Sequence, residues 1–79
     1  MFDDVEAKAL ITRASLYAPP TTITYALNKD GYVLEFAMVY DGYVTKYEFR
    51  KPDLKFCYFE ALWPAPFQAL LARVAACCR

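Results

Sequence analysis

The chain is organised around Tyr32-Val33-Leu34-Glu35-Phe36-Ala37-Met38-Val39-Tyr40. The even positions of this segment are all large and apolar or aromatic, whereas the odd positions are smaller and mixed. Such alternation is typical of a β-strand with one buried face, because successive side chains of a strand point to opposite sides. The segment therefore predicts the central strand of a sheet whose core face is rich in aromatic rings.

A hairpin signal, Asp41-Gly42, follows this segment directly. The dipeptide accepts positive φ at both central positions of a type I′ turn, so Tyr40 should lie opposite Tyr43 across a two-residue loop. The same register sets two carboxylates, Glu35 and Glu48, opposite each other on the other face of the sheet. Counting back from the turn gives three further pairs on the aromatic face: Met38 with Thr45, Phe36 with Tyr47, and Leu34 with Phe49.

The preceding strand has large side chains at Ile23, Tyr25 and Leu27, before a turn at 28–31. A connection of two or four residues keeps these three on the aromatic face, whereas a three-residue loop with a glycine bulge moves them outward. Burial of the larger set should decide, so we expect an even-length connection.

The segment 54–62 fits two structures. After the turn Lys51-Pro52-Asp53, the alternation of Leu54, Phe56 and Tyr58 favours a short fourth strand. The alternative makes Asp53 a helix N-cap and continues the helix through Phe59 to Leu62.

Helices are predicted at both ends of the chain. Asp3 and Glu6 form a capping-box pattern. The helix that they open should run to about Tyr17, with one apolar stripe formed by Ala7, Leu10, Ile11, Ala14 and Tyr17. The segment Pro64-Ala65-Pro66 can open a second helix, whose stripe would be Phe67, Leu70, Leu71, Val74 and Cys78.

Together these elements predict a single α+β domain spanning residues 1–79. We expect a two-layer sandwich in which an antiparallel meander of three to four strands carries the N-terminal and C-terminal helices on one face. The other face, with Thr22, Thr24 and a set of small apolar residues, should remain open and could serve as a second binding surface or a dimer interface.

The composition argues against several classes of function. Nine basic and nine acidic residues cancel, so no net field attracts nucleic acid or an anionic membrane. The chain contains no histidine, which removes the commonest general base and zinc ligand. The acidic start Met1–Glu6 does not resemble a signal peptide, and no apolar run reaches the ~20 residues of a membrane span. We therefore expect a cytoplasmic, non-enzymatic protein without a cofactor.

The three cysteines fit a metal site poorly. Zinc sites usually use four ligands with paired short spacings, whereas Cys77 and Cys78 are adjacent and Cys57 is distant. We expect Cys57 and one of the C-terminal pair to pack as small apolar side chains.

The opposed Glu35 and Glu48 are the only carboxylate pair that the register produces. We expect neighbouring Lys46 and Arg50 to neutralise this pair, and we do not expect it to be catalytic.

The order helix, three-stranded meander, helix resembles that of the double-stranded-RNA-binding domain. In that family a lysine cluster at the start of the last helix grips phosphates, whereas the corresponding stretch here, 63–68, contains no basic residue. The likeness is therefore one of topology. Basic residues do cluster elsewhere, around the end of the third strand and the turn after it: Lys46, Arg50, Lys51 and Lys55. This cluster fits either a phosphate-facing patch or a charged strand edge that prevents aggregation.

The remaining candidates are aromatic side chains in exposed positions. Tyrosine and tryptophan dominate binding hot spots, and Tyr40 and Tyr43 flank the hairpin tip, while Trp63 lies in a proline-rich connection. In the alternative interpretation the two tyrosines merely pair and cover the end of the core. Our predicted partner-binding residues are Tyr40, Asp41, Tyr43, Lys46, Arg50 and Lys51.

In its small size, neutral charge and lack of catalytic chemistry, the chain resembles the small inhibitors that phages and mobile elements use against bacterial defence systems, such as anti-CRISPR proteins. The resemblance is one of general character and has no motif. It implies binding to a protein complex of the bacterial host, in the host cytoplasm, that blocks access of target DNA to a CRISPR effector. We expect a monomer or homodimer. The alternatives are a homo-oligomeric structural or assembly protein and a degenerate nucleic-acid-binding module.

Overall fold

The structure, a computed structural model, describes residues 3–76, with side chains described as far as residue 72. Its elements are α1 (Asp4–Tyr17), β1 (Thr22–Leu27), β2 (Val33–Tyr40), β3 (Tyr43–Glu48), α2 (Phe56–Leu62), α3 (Ala65–Gln68) and β4 (Leu71–Ala76). The strands form one sheet in the order β3-β2-β1-β4. β1 and β3 are antiparallel to β2, whereas β4 is parallel to β1. The predicted α+β class is confirmed.

The predicted start of α1 is also confirmed. The Asp3 side chain accepts from the backbone N–H of Glu6 at 3.1 Å, and the Glu6 side chain accepts from the backbone N–H of Asp3 at 2.9 Å. This capping box satisfies donors that the first turn of a helix would otherwise leave unpaired. Ala7, Ile11 and Ala14 are buried against the sheet. Tyr17 was wrongly assigned to the same stripe: it is 80% exposed, because the last residue of the helix lies at the edge of the inward face.

The hairpin register agrees with the prediction from Tyr40–Tyr43 to Glu35–Glu48. Tyr25 lies opposite Phe36 and Ile23 opposite Met38, so the large residues of β1 share the aromatic face as expected. The even-length connection that we expected is wrong: Leu27 pairs with Val33 across the five residues 28–32. A register shift between Ala26 and Leu27, rather than the length of the connection, keeps the large residues of β1 on the aromatic face. This bulge buries Val33 fully and leaves Leu34 38% exposed, which reverses the roles that simple alternation predicts for the two residues.

The preferred fourth strand at 54–62 is wrong, and the helical alternative describes this segment. α2 begins at Phe56, and its N-cap is Lys55 rather than Asp53. A helix brings Phe56 and Phe59 to the same side, where both rings contact Tyr25 of β1. An extended strand would place these two side chains on opposite faces.

The predicted C-terminal helix opens as expected, because Pro64 is the N-cap of α3. Its predicted continuation is wrong: α3 ends at Gln68, and the chain then forms β4. The Ile23 N–H donates to the carbonyl of Leu70 at 2.9 Å, at the point where the chain joins β1. Pairing with β4 satisfies the backbone groups on a strand edge of β1 that would otherwise be open, and this gain outweighs the helix propensity of an alanine-rich segment. Cys77 and Cys78 lie outside the described residues.

One core holds the two layers together. Ile23, Tyr25, Phe36 and Met38 project from the sheet towards the buried residues of α1 and α2, and Phe59 and Trp63 complete the cluster. The rings of Phe36 and Phe59 lie 5.2 Å apart. α1 and α2 therefore cover the same face of the sheet, over β1 and β2. The opposite face carries Glu35, Ala37 and Val39 of β2 beside residues of the neighbouring strands and remains open.

Candidate functional site

The hairpin between β2 and β3 ends in two stacked rings. Tyr40 and Tyr43 lie with centroids 4.8 Å apart and planes only 15° from parallel. Gly42 has a φ of +100°, a value that side-chain-bearing residues rarely adopt, so it permits the tight turn that brings the rings together. Tyr43 is 59% exposed and Asp41 is exposed, while Tyr40 is half-buried. We refer to residues 40–43 as the hairpin tip.

Tyr40 links the hairpin tip to the core through its hydroxyl group. Its hydroxyl donates to the Sδ of Met38 at 3.6 Å, a weak contact to a soft acceptor. Burial raises the pKa of the Tyr40 hydroxyl above its ordinary value of 10.0, and the neighbouring hydroxyls of Tyr43 and Tyr47 add to the rise. At neutral pH the side chain is therefore an uncharged hydrogen-bond donor.

A groove runs from the tip along the side of α1. It consists of two adjoining cavities of about 360 and 180 Å³, both lined by Leu10, Arg13 and Tyr47. The smaller cavity also reaches Tyr17 and Tyr40. The groove exists because the helices cover β1 and β2 more fully than β3, which leaves Tyr43 exposed and Tyr47 only half-buried. We call it the α1–β3 groove.

The predicted partner-binding residues do not form one surface. Tyr40, Asp41 and Tyr43 meet at the tip, as expected. Lys46 projects from the opposite, open face of the sheet, because it is an odd number of positions from Tyr43 along β3 and successive side chains of a strand alternate between faces. Its Nζ lies 3.7 Å from a carboxylate oxygen of Glu35. Arg50 and Lys51 follow the far end of β3, roughly 17 Å from the tip for a six-residue strand.

The basic residues also divide into separate environments. Lys46 pairs with Glu35, and the Nζ of Lys55 lies 5.1 Å above the ring of Tyr32. Glu35 stands opposite Glu48 as predicted, with Lys46 at the diagonal position. Both carboxylates lie on the open face of the sheet, where Lys46 offsets the charge of Glu35. The pair is therefore a surface pair of like charges that is only partly compensated.

Two predicted environments need correction. Cys57 is exposed on the outer side of α2 rather than packed, because Phe56 and Phe59 take the inward positions of that helix. Trp63 is buried, with 1% exposure, and so is not available to a partner.

Among residues 3–76, no group of three or more cysteine, aspartate and glutamate side chains is placed to hold a metal ion. No helix in the same range has the length and apolar character needed to cross a membrane.

The sequence interpretation missed two features. The first is the contribution of Arg13, Tyr17 and Tyr47 to the α1–β3 groove, which depends on how far α1 covers the sheet. The second is the outer face of α1, where Val5 and Leu16 are 74% and 69% exposed. The sequence does contain a signal for this second face, since apolar residues occur on both sides of the predicted helix.

Comparison with protein families, curated proteins and solved structures finds no match to the chain.

Proposed function

We propose that the protein is a non-enzymatic binding protein that contacts a larger protein partner through the hairpin tip and the adjoining α1–β3 groove. The observation that carries the proposal is the stacked pair Tyr40 and Tyr43 at a protruding turn. Stacking fixes both rings before a partner arrives, so little side-chain entropy is lost on binding. Tyrosine rings of this kind combine a large apolar surface with a hydroxyl, which is why they are frequent in binding hot spots.

The groove extends this surface beyond the tip. Tyr17 and Tyr47 supply further aromatic surface, and Arg13 supplies a cation in the same cavity. Arg13 has no ion-pair partner among the described residues, so it is available to an acidic group of a partner. A protruding turn beside an aromatic groove suits an acidic or mixed protein surface.

In the specific form of the proposal, the protein inhibits a bacterial complex by occlusion, as anti-CRISPR proteins do. The general resemblance of the chain to such inhibitors suggests this form. Occlusion needs only a rigid, tightly binding domain placed over a functional surface, and the hairpin tip on a continuous core provides such a domain. The partner would be a CRISPR effector whose target-DNA path is covered.

The test measures how strongly a purified CRISPR effector binds its target DNA while the protein is added at increasing concentration. We expect competition that follows stoichiometric binding to the effector. Tyr40→Ala with Tyr43→Ala should weaken that binding at least tenfold, which corresponds to about 1.4 kcal/mol. Tyr58→Ala is the matched control, because it removes a tyrosine that is 66% exposed on a different element.

Circular dichroism should show the same spectrum for all variants. Equal loss of binding in the hairpin-tip variant and in Tyr58→Ala would remove the tip from the proposal. Binding to the effector without displacement of DNA would reject occlusion. Absence of binding to effectors of every type tested would reject the CRISPR form and leave the tip as a surface for another protein.

A further inference from the structure

The outer face of α1 carries apolar side chains where a surface helix is usually polar. Val5 is 74% and Leu16 is 69% exposed, and Ala9 and Thr12 are exposed between them. These four positions recur at intervals of four, three and four, which forms one stripe on the side opposite the buried Ala7 face. A shallow groove of about 450 Å³ follows the stripe. The described part of the chain covers only one of the two apolar faces of α1.

The stripe has nearly the same character in both directions along the helix. The large apolar side chains Val5 and Leu16 stand at its ends, and the small side chains Ala9 and Thr12 stand at its centre, with the Thr12 hydroxyl donating a hydrogen bond to the Lys8 carbonyl. When two such helices pack antiparallel about a two-fold axis, Val5 of one copy faces Leu16 of the other. The small central residues then face each other and allow the two backbones to approach closely.

The charges beside the stripe are compatible with the same arrangement. Glu6 and Arg13 lie on one flank, and Lys8 lies on the other. Antiparallel packing brings the same flank of both copies together, so Glu6 of each copy approaches Arg13 of the other. Glu6 uses Oε1 in the capping box, so Oε2 remains for this contact. Parallel packing would instead bring Lys8 of one copy close to the level of Glu6 of the other, which is also an opposite-charge contact. The charges therefore allow both arrangements, and the recess beside Val5 favours the antiparallel one.

A recess beside the stripe can accommodate Leu16 of the second copy. A groove of about 580 Å³ between α1 and α2 is lined in part by Val5, Leu54 and Leu62. Antiparallel packing places Leu16 of the second copy opposite Val5, at the rim of this groove. The two-fold axis repeats the contact, as an isologous interface requires.

We infer that the outer face of α1 is the interface of a symmetric antiparallel dimer formed with a second copy of this chain. α1 has 14 residues and is therefore about 21 Å long. A pair of helices of this length buries less area than the roughly 1,200 Å² at which stable interfaces begin. The dimer is accordingly concentration-dependent. The contact uses Arg13, which also lines the α1–β3 groove, so dimer formation and partner binding in that groove compete for this side chain. The stacked rings of the hairpin tip are not part of the dimer contact.

The first test is the mass of the 9.1 kDa chain by sedimentation equilibrium, under reducing conditions, from about 1 µM to about 1 mM. We expect the mass to rise toward twice the monomer value. Leu16→Glu should raise the dissociation constant at least tenfold. Val44→Glu is the matched control, since it makes the same kind of change at a site 60% exposed on β3, and it should leave association unchanged.

The second test is a charge-reversal cycle on Glu6 and Arg13. Glu6→Lys and Arg13→Glu should each weaken association, and the double variant should restore at least part of it, because each copy again presents opposite charges to the other. Because Glu6→Lys also removes the capping box of α1, circular dichroism of each variant should be measured to show that the helix is retained. A chain that stays monomeric throughout, or association lost with Val44→Glu but kept with Leu16→Glu, would overturn the inference. A double variant weaker than both single variants would overturn the antiparallel arrangement.

Discussion

The ring of Tyr25 stacks on the ring of Phe56, with centroids 4.7 Å apart and planes 20° from parallel. This contact joins β1 to α2 across the two layers of the domain. One helical turn further on, Phe59 contacts both Tyr25 at 6.0 Å and Phe36 at 5.2 Å. The inward face of α2 therefore follows helical spacing and fills the core above the centre of the sheet.

This spacing gives a stability prediction for α2. Phe59 is fully buried, so Phe59→Ala should lower the free energy of unfolding by about 3–5 kcal/mol. Tyr58→Ala should change it by less than about 0.5 kcal/mol, because the ring is exposed. Urea unfolding followed by the fluorescence of the buried Trp63 measures both. Phe59→Leu, which should cost about 1.5 kcal/mol, provides a milder variant if the alanine form does not fold. A larger effect at Tyr58 than at Phe59 would mean that this segment is a strand.

The segment 54–62 shows why only part of the fold could be predicted from the sequence. The hairpin is specified locally, because Asp41-Gly42 sets the turn and alternation on both sides sets the register. Large apolar side chains at Phe56, Tyr58 and Phe59 fit both a strand and a helix, so contacts with β1 decide between them. In the same way, the alanine-rich β4 is extended only because β1 offers it an open edge.

The turn at the hairpin tip gives a second stability prediction. Gly42 has a φ of +100°, and a Cβ at this position would meet no atom within 4 Å. Gly42→Ala should therefore be destabilising through backbone strain alone, by about 1–2 kcal/mol. Gly42→Asn should cost less, because asparagine tolerates positive φ better than alanine does. Thermal unfolding of the two variants measures the difference. Equal stability of Gly42→Ala and the parent would show that the turn can relax.

The open face of the sheet provides an electrostatic prediction. Glu35 and Glu48 are directly opposed across β2 and β3, which is unfavourable for like charges. Glu48→Lys should raise the free energy of unfolding by about 0.5 kcal/mol, because it replaces a like-charge pair with an opposite-charge pair. The gain should shrink at high salt, since the pair is near solvent. Glu48→Gln separates the loss of repulsion from the new attraction, and unfolding in low and high salt checks both. A gain that does not depend on salt would rule out this electrostatic explanation.

The candidate site was predictable to the extent that it is local. Tyr40 and Tyr43 meet because a two-residue turn joins their strands, and that turn is visible in the sequence. Arg50 and Lys51 are near Tyr43 in the chain but lie at the other end of β3, since an extended strand separates residues quickly. The α1–β3 groove depends on where α1 packs across the sheet, and the periodicity of α1 does not contain that information.

Tyr40 gives a pH dependence with a definite sign. Burial raises the pKa of its hydroxyl in the folded protein above 10.0, the ordinary value that applies to the unfolded chain. The folded state therefore holds the proton more tightly, and this contribution to stability is complete below about pH 10. It is lost as the pH rises through the unfolded value toward the folded one. Tyr40→Phe should accordingly make the decline in the free energy of unfolding less steep in this range.

Urea unfolding at several alkaline pH values measures this decline, and the absorbance of the ionised phenol follows the titration itself. Tyr58→Phe, which removes an exposed hydroxyl, is the matched control and should leave the decline as it is in the parent protein. A steeper decline in Tyr40→Phe, or an equal change in both variants, would contradict the partial burial of the Tyr40 side chain that raises this pKa. Such a result would also weaken the case for a preformed hairpin tip, because the same packing holds the two rings in place.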